Sequence, residues 1–144
     1  MPDFLAGATT LKIDGRCHCG AITYRAEVDA ANVGICNCTD CQSLSGSAFR
    51  TIALSEPGSF KLLTGLPKIY VKTGDSGAER EQSFCPDCGS PIYSAAPGAG
   101  PKVHSIRLGT VTQRNELMPR FQIWHRSALS WLDGLSSIPA KERQ

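Results

Sequence analysis

The segment Ala21-Ile22-Thr23-Tyr24-Arg25-Ala26-Glu27-Val28 decides the fold class. Its period is two: Ile22, Tyr24, Ala26 and Val28 share one face, while Thr23, Arg25 and Glu27 fall on the other. This is the pattern of a half-buried β-strand. Working outward, the same short alternation recurs in Ala48 to Leu54, Phe60 to Leu63, Ile69 to Lys72, Glu81 to Phe84, Ile92 to Ser94, Val103 to Leu108 and Phe121 to Trp124. Pro57-Gly58, Thr64-Gly65, Thr73-Gly74 and Pro97-Gly98 separate these runs as turn signals. The expectation is a mainly β, antiparallel protein.

Helical signal is sparse. Thr39-x-x-Gln42 has the form of a capping box and predicts one short helix that ends before Gly46. A second brief helix is expected around Ser127 to Leu132. With 144 residues and no internal linker, the chain is expected to be one domain, residues 1–144, with its core at about 15–135 and a loosely held tail at 136–144. Met1 to Ile13 lacks the features of a signal peptide, and no window approaches the roughly 18 apolar residues of a membrane span. A cytoplasmic protein without a membrane partner is expected.

The strand that opens this reading is flanked by cysteines, Cys17-His18-Cys19 before it and Cys36-Asn37-Cys38-Thr39-Asp40-Cys41 after it, with Cys85-Pro86-Asp87-Cys88 far downstream. Seven cysteines in a reducing compartment point to metal ligands in preference to disulfides. Cys85-x-x-Cys88-Gly89 has the form of a zinc knuckle, which supplies two of four tetrahedral ligands. Cys17 and Cys19 are natural partners, since alternate residues of an extended segment project to one side. Pairing the knuckle with two of Cys36, Cys38 and Cys41 is the alternative.

Whichever pairing holds, three thiols are left over, and three protein ligands leave a tetrahedral ion with an open position, the mark of a catalytic site. Three thiolates weaken an ion's action on water and favour a sulfur guest, so a small thiol is a better candidate substrate than water. A histidine, His104 or His125, would instead close that site and make it structural. A net charge of +2 and 7% aromatic residues give no footprint for nucleic acid.

The set Gly15-x-Cys17-x-Cys19-Gly20, Cys36-x-Cys38-x-x-Cys41-Gln42, Ser45-Gly46 and Phe84-Cys85-x-x-Cys88-Gly89 resembles the glutathione-dependent formaldehyde-activating enzyme family, the GFA or CENP-V domain. Ser76-Gly77, Arg80, Ile106-Arg107-Leu108-Gly109-Thr110, Ile123-Trp124 and Trp131-Leu132-Asp133-Gly134 extend the likeness over about Gly15 to Leu135. The resemblance implies the β-tent (Mss4-like) fold. It also implies two zinc ions, a structural one on Cys17, Cys19, Cys85 and Cys88 and a catalytic one on Cys36, Cys38 and Cys41. The implied reaction is that of a carbon-sulfur lyase, adding glutathione to formaldehyde to give S-hydroxymethylglutathione.

Asn37 stands where the family often has histidine, which leaves the ligands intact. Glutathione carries two carboxylates, and by motif position Arg50 and Arg80 are candidate partners for them, with Ser45 and Gly46 as further substrate contacts. The plain alternatives are that both arginines are solvated and that Ser45 and Gly46 only form a turn. At the level of function, the competing expectation is a non-catalytic, zinc-stabilised binding module.

Overall fold

The computed structural model describes residues 10–144, so the reading of Met1 to Ile13 falls largely outside the described residues. Nine strands form one sheet: β1 (Thr10–Arg16), β2 (Thr23–Cys36), β3 (Arg50–Ser55), β4 (Lys61–Thr64), β5 (Lys68–Thr73), β6 (Glu79–Phe84), β7 (Pro91–Ala95), β8 (Ser105–Arg107) and β9 (Phe121–Ile123). The main path runs β1-β2-β3-β8-β7-β6-β5, and β4 and β9 both attach to β2. All pairs are antiparallel except β2 with β9. The mainly β expectation holds, with one strand, β1, ahead of those anticipated.

The alternating segment that opened the sequence reading is the first half of β2, a strand of 14 residues. Tyr24, Ala26 and Val28 are buried and Arg25 and Glu27 are exposed, as a period of two requires. The strand continues past an irregularity between Val28 and Val33 and ends on Cys36. Its first half lies between β1 and β4, and its second half between β3 and β9.

Gly34 makes the parallel β9 pairing possible. It sits opposite Phe121, and a Cβ there would fall 2.3 Å from the phenyl ring. The buried core joins Ile13, Ile22, Tyr24, Val33, Ile92, Ile106 and Val111. Beside it Phe60 stacks on Tyr24 at 5.1 Å and on His104 at 4.5 Å, and Tyr93 meets His104 edge-on at 4.6 Å.

One α-helix, α1 (Thr39–Ser45), forms where the capping signal placed it, and ends on Gly46 in the left-handed region. Its cap differs from the expected one. The capping residue is Cys38, whose Sγ accepts the Cys41 N–H at 3.3 Å. Gln42 does not reach back to the cap; its Nε2 donates to the carbonyls of Asn37 at 2.9 Å and Ser127 at 3.1 Å.

No α-helix spans Ser127 to Leu132, which corrects the expectation; two 3-10 segments, His125–Ser127 and the longer Leu132–Ser137, stand on either side of that stretch. The extended backbone of Ala128 ends the first of them, and the Ser127 carbonyl accepts from Gln42 instead. Among the described residues no helix is long and apolar enough to cross a membrane.

Two outcomes follow from this packing. Gly34→Ala should lower stability by about 1–3 kcal/mol through overpacking against Phe121, read as a lowered urea midpoint. Burial holds the His104 imidazole below its ordinary value of 6.5, so an unfolded chain takes up that proton first. The stabilisation is whole above about 6.5 and declines as pH falls below it toward the depressed folded value. Urea unfolding from pH 7 to 5 should therefore be steeper in pH for the natural chain than for His104→Phe; parallel curves would count against it.

Candidate metal centres and the cavity beside them

The turn after β1 and the turn between β6 and β7 bring Cys17 and Cys19 against Cys85 and Cys88, with all four sulfurs within 4.8 Å of one another. Cys17 Sγ is 3.6 Å from Cys19 Sγ, and Cys19 Sγ is 3.8 Å from Cys85 Sγ. Four sulfurs each about 2.3 Å from a shared tetrahedral ion stand roughly 3.8 Å apart, so the donor set fits zinc without rearrangement. All seven cysteines are free.

Local donors prepare this cluster. The Ile22 N–H points at Cys17 Sγ at 3.3 Å, and Ser90 Oγ lies 3.3 Å from Cys88 Sγ. The Ser90 hydroxyl first, then backbone N–H groups, pull the Cys88 thiol down to about 5. His18 is outside the cluster, its N–H donating to Ser90 Oγ at 2.9 Å.

The second cluster is Cys36, Cys38 and Cys41, again within 4.8 Å. Cys36 is the last residue of β2, Cys38 caps α1 and Cys41 lies one turn into it. Their spacing is thus set by a strand end and a helix start held together. The Asn37 side chain, fully buried, secures this junction: Nδ2 donates to Gln122 Oε1 at 3.2 Å and to the Ile123 carbonyl at 3.3 Å. Cys41 is held well below the ordinary thiol range by the neighbouring Cys36 thiol first and then by the Arg50 charge, against the effect of burial.

Neither His104 nor His125 joins the trio. His104 belongs to the Phe60–Tyr93 aromatic group, and His125 starts an exposed 3-10 turn. Both clusters suit metal ions, the first closed by four sulfurs and the second contributing three.

A cavity of about 440 Å³ opens over the trio. A groove of about 490 Å³ lies elsewhere, around Lys12, Arg25 and Pro57, but has no cysteine in its wall, so size does not select the site. The floor of the trio cavity is one sheet face. Cross-strand pairing aligns Lys72 with Arg80, Gln82 with Ser94, Ser94 with Ser105, and Ile52 with Arg107, and every one of these residues lines it. Arg50 stands opposite Cys36 in the β2–β3 register.

The face is cationic. Arg50 is 5% and Arg107 8% exposed, so the solvated alternative fails for Arg50. Arg80 is half-buried, with Nη2 donating to Ser94 Oγ at 3.1 Å. Arg107 donates to Gln82 Oε1 at 2.7 Å and to Ser105 Oγ at 3.2 Å. Burial first, then the neighbouring Arg50 charge, draws the Arg107 guanidinium down to about 9. Among the described residues the one ion pair is Lys72 with Asp40, 2.8 Å, and none of the three arginines has a carboxylate partner.

Ser45 and Gly46 play another part: Ser45 Oγ bonds back to the Gln42 carbonyl at 3.5 Å and Gly46 is the helix C-cap, and neither lines the cavity. Sequence reasoning passed over Lys72 and Gln82, and it quoted Arg107 and Trp124 in the resemblance without giving them a site role. The signal for Arg107 was present in Ser105-Ile106-Arg107-Leu108, an arginine in an apolar alternation, though alternation does not say what a face looks onto. Trp124, at the cavity rim, is the one non-glycine residue with positive φ, 54°, among those described.

A match to the family described as glutathione-dependent formaldehyde-activating enzyme spans residues 12–127. The chain belongs to that family. The mainly antiparallel sheet with its cysteine clusters is the family's β-tent, Mss4-like fold. Among solved structures, a crystal structure of a Rhodobacter sphaeroides protein from Northeast Structural Genomics aligns with a TM-score of 0.57 and 17% identity. It covers 76% of this chain and 98% of that one, a likeness of fold. A comparison with curated proteins finds no match.

Metal analysis of the purified family member should give two ions per chain. Cys85→Ser should lose ordered structure, because binding at the closed site is folding energy. Cys38→Ser should keep the fold by circular dichroism and lose one ion; retention of both would refute the trio as a metal site.

Proposed function

We propose that this protein is a zinc-dependent carbon-sulfur lyase of the glutathione-dependent formaldehyde-activating type. It joins a small thiol, glutathione or a similar one, to formaldehyde or a related aldehyde, or runs the reverse. The observation that carries the reading is the incomplete three-sulfur cluster opening onto a cavity with a cationic floor. Cys17, Cys19, Cys85 and Cys88 would hold the structural zinc and Cys36, Cys38 and Cys41 the catalytic one. Bound there, zinc supplies a soft acceptor that keeps a thiol ionised at neutral pH.

The chain's own residues supply the rest. Arg50, next to Cys41, offsets the charge of the sulfur cluster. Arg80, Arg107 and Lys72 line the same cavity and offer donors for the carboxylates of a glutathione-like thiol. In the addition, the thiolate sulfur bonds to the aldehyde carbon, the carbonyl electron pair moves to oxygen, and that oxygen takes a proton from water. The cations facing the cavity favour the oxygen as it gains charge. Seven free thiols suit the reducing cytoplasm.

A non-catalytic binding module accounts for the closed cluster but not for the arginines. Burying Arg50 and Arg107 without carboxylate partners costs stability, and a purely structural role returns nothing for it.

Exchange NMR of glutathione with formaldehyde tests the proposal. Zinc-loaded protein should accelerate the exchange, and Cys38→Ser should reduce that acceleration by at least about 100-fold, since outer-shell changes alone cost about 10–100-fold. No acceleration over the spontaneous reaction would sink the glutathione form.

A further inference from the structure

The trio cavity has a neighbour. A second cleft of about 340 Å³ lies between α1 and the β5–β6 hairpin; Gln82 and Arg107 line both spaces, and Arg50 lines the second. The Gln82 and Arg107 side chains are therefore the partition between the two spaces. Strand alternation explains the arrangement: Arg80, Gln82 and Phe84 fall on one face of β6, so its floor passes from cationic to polar to apolar toward the four-cysteine cluster. Beyond the partition the walls are Leu44 from α1, Tyr70 from β5, Phe84 from β6 and Pro91 from β7.

The two arginines of this cleft are short of partners. Arg50 and Arg107 are more than nine-tenths buried, and the Nε of each is buried without a hydrogen-bond acceptor. Among the described residues no carboxylate pairs with either. A buried guanidinium N–H without an acceptor forfeits its hydration and gains nothing in return, so both point to an anion that completes them. The Cys41 sulfur lies near Arg50 and answers part of its charge; Arg107 feels Cys41 and Cys36 as well, but also the like charges of Arg50 and Arg80.

We propose that the second cleft is a binding subsite for an organic carboxylate with an apolar body. Its head lies against Arg50 and Arg107, and its body lies among Leu44, Tyr70, Phe84 and Pro91. A guanidinium fork matches a planar carboxylate in two parallel bonds, with the Gln82 amide beside it. The cleft volume admits a body the size of a phenyl ring, whereas formaldehyde leaves it empty. The subsite uses no metal ligand, so it stands or falls separately from the lyase reading.

The test is binding of 3-phenylpropionate, which carries neither thiol nor aldehyde, to the zinc-loaded full chain. Calorimetry would compare it with acetate, which lacks the body, and 3-phenylpropanol, which lacks the charge. Nitrogen-15 spectra of the arginine Nε–Hε groups would report the head group. Phenylpropionate should bind at least about tenfold more tightly than either control, a difference of about 1.4 kcal/mol, and should shift the Arg50 and Arg107 Nε resonances. Arg107→Gln and Leu44→Trp should each weaken it by about tenfold or more.

Leu44→Trp fills the cleft from its rim and leaves the partition intact, which covers the case in which Arg107→Gln fails to fold. The proposal is overturned by absence of millimolar binding, by acetate or the alcohol binding equally well, by unmoved arginine resonances, or by unchanged affinity in a folded variant. A silent exchange assay with intact phenylpropionate binding removes the lyase and keeps the subsite. The opposite pair of results removes the subsite alone.

Discussion

A β-strand has two edges, yet β2 hydrogen-bonds to four other strands, and the rest of the molecule depends on how that is reconciled. The irregularity between Val28 and Val33 divides the strand, so that each half presents its two edges to different neighbours. The first half carries β1 and the short β4; the second carries β3 and the parallel β9. The register of the second half then fixes the chemistry. It sets Cys36 between Arg50 on one side and Ile123 on the other, and so joins the sulfur cluster, a buried cation and the Trp124 rim within one rung.

The two cysteine clusters divide the labour according to how many sulfurs each assembles. Four sulfurs at spacings of 3.6 and 3.8 Å tie the turn after β1 to the turn before β7, segments more than sixty residues apart. That clamp steadies the β6–β7 hairpin, whose face forms the floor of the trio cavity. The three-sulfur cluster is built on a strand end and a helix cap, and Gln42 and Asn37 lock those two elements to the segment around Ile123 and Ser127. Rigidity at the trio therefore comes from backbone carbonyls held by amide side chains.

The buried arginines are where local stability is given up. A fold optimised for stability alone would put apolar residues at positions 50 and 107, since both are in strands and more than nine-tenths buried. The same holds on a smaller scale for Trp124, whose backbone sits in a region costly for a non-glycine residue. These departures gather around the trio cavity and the cleft that adjoins it, which is where departures from local consistency are expected when a site has a task.

Much of this was legible in the residues themselves. Alternation in Ile22 to Val28 identified the strand, because burial on one face alone demands a period of two. Cysteine spacings identified the candidate ligands, because two thiols one or two residues apart can meet one ion through a few backbone shapes, while which pairs meet was left to the resemblance and is seen in the structure. Other features were decided by contacts that no local pattern encodes. That Cys38 and not Thr39 caps the helix, that Gln42 reaches the Asn37 and Ser127 carbonyls, and that Ala128 turns extended where a helix was expected, are such features. Arg107 and Lys72 belong to the site because strands distant in sequence pair in one register, and period two states that a residue faces one side without stating what lies there. Local pattern determined most strands and the candidate ligands, and the tertiary pairing alone decided how the cysteines group, which charges surround the three-sulfur cluster and that the arginines lack carboxylate partners.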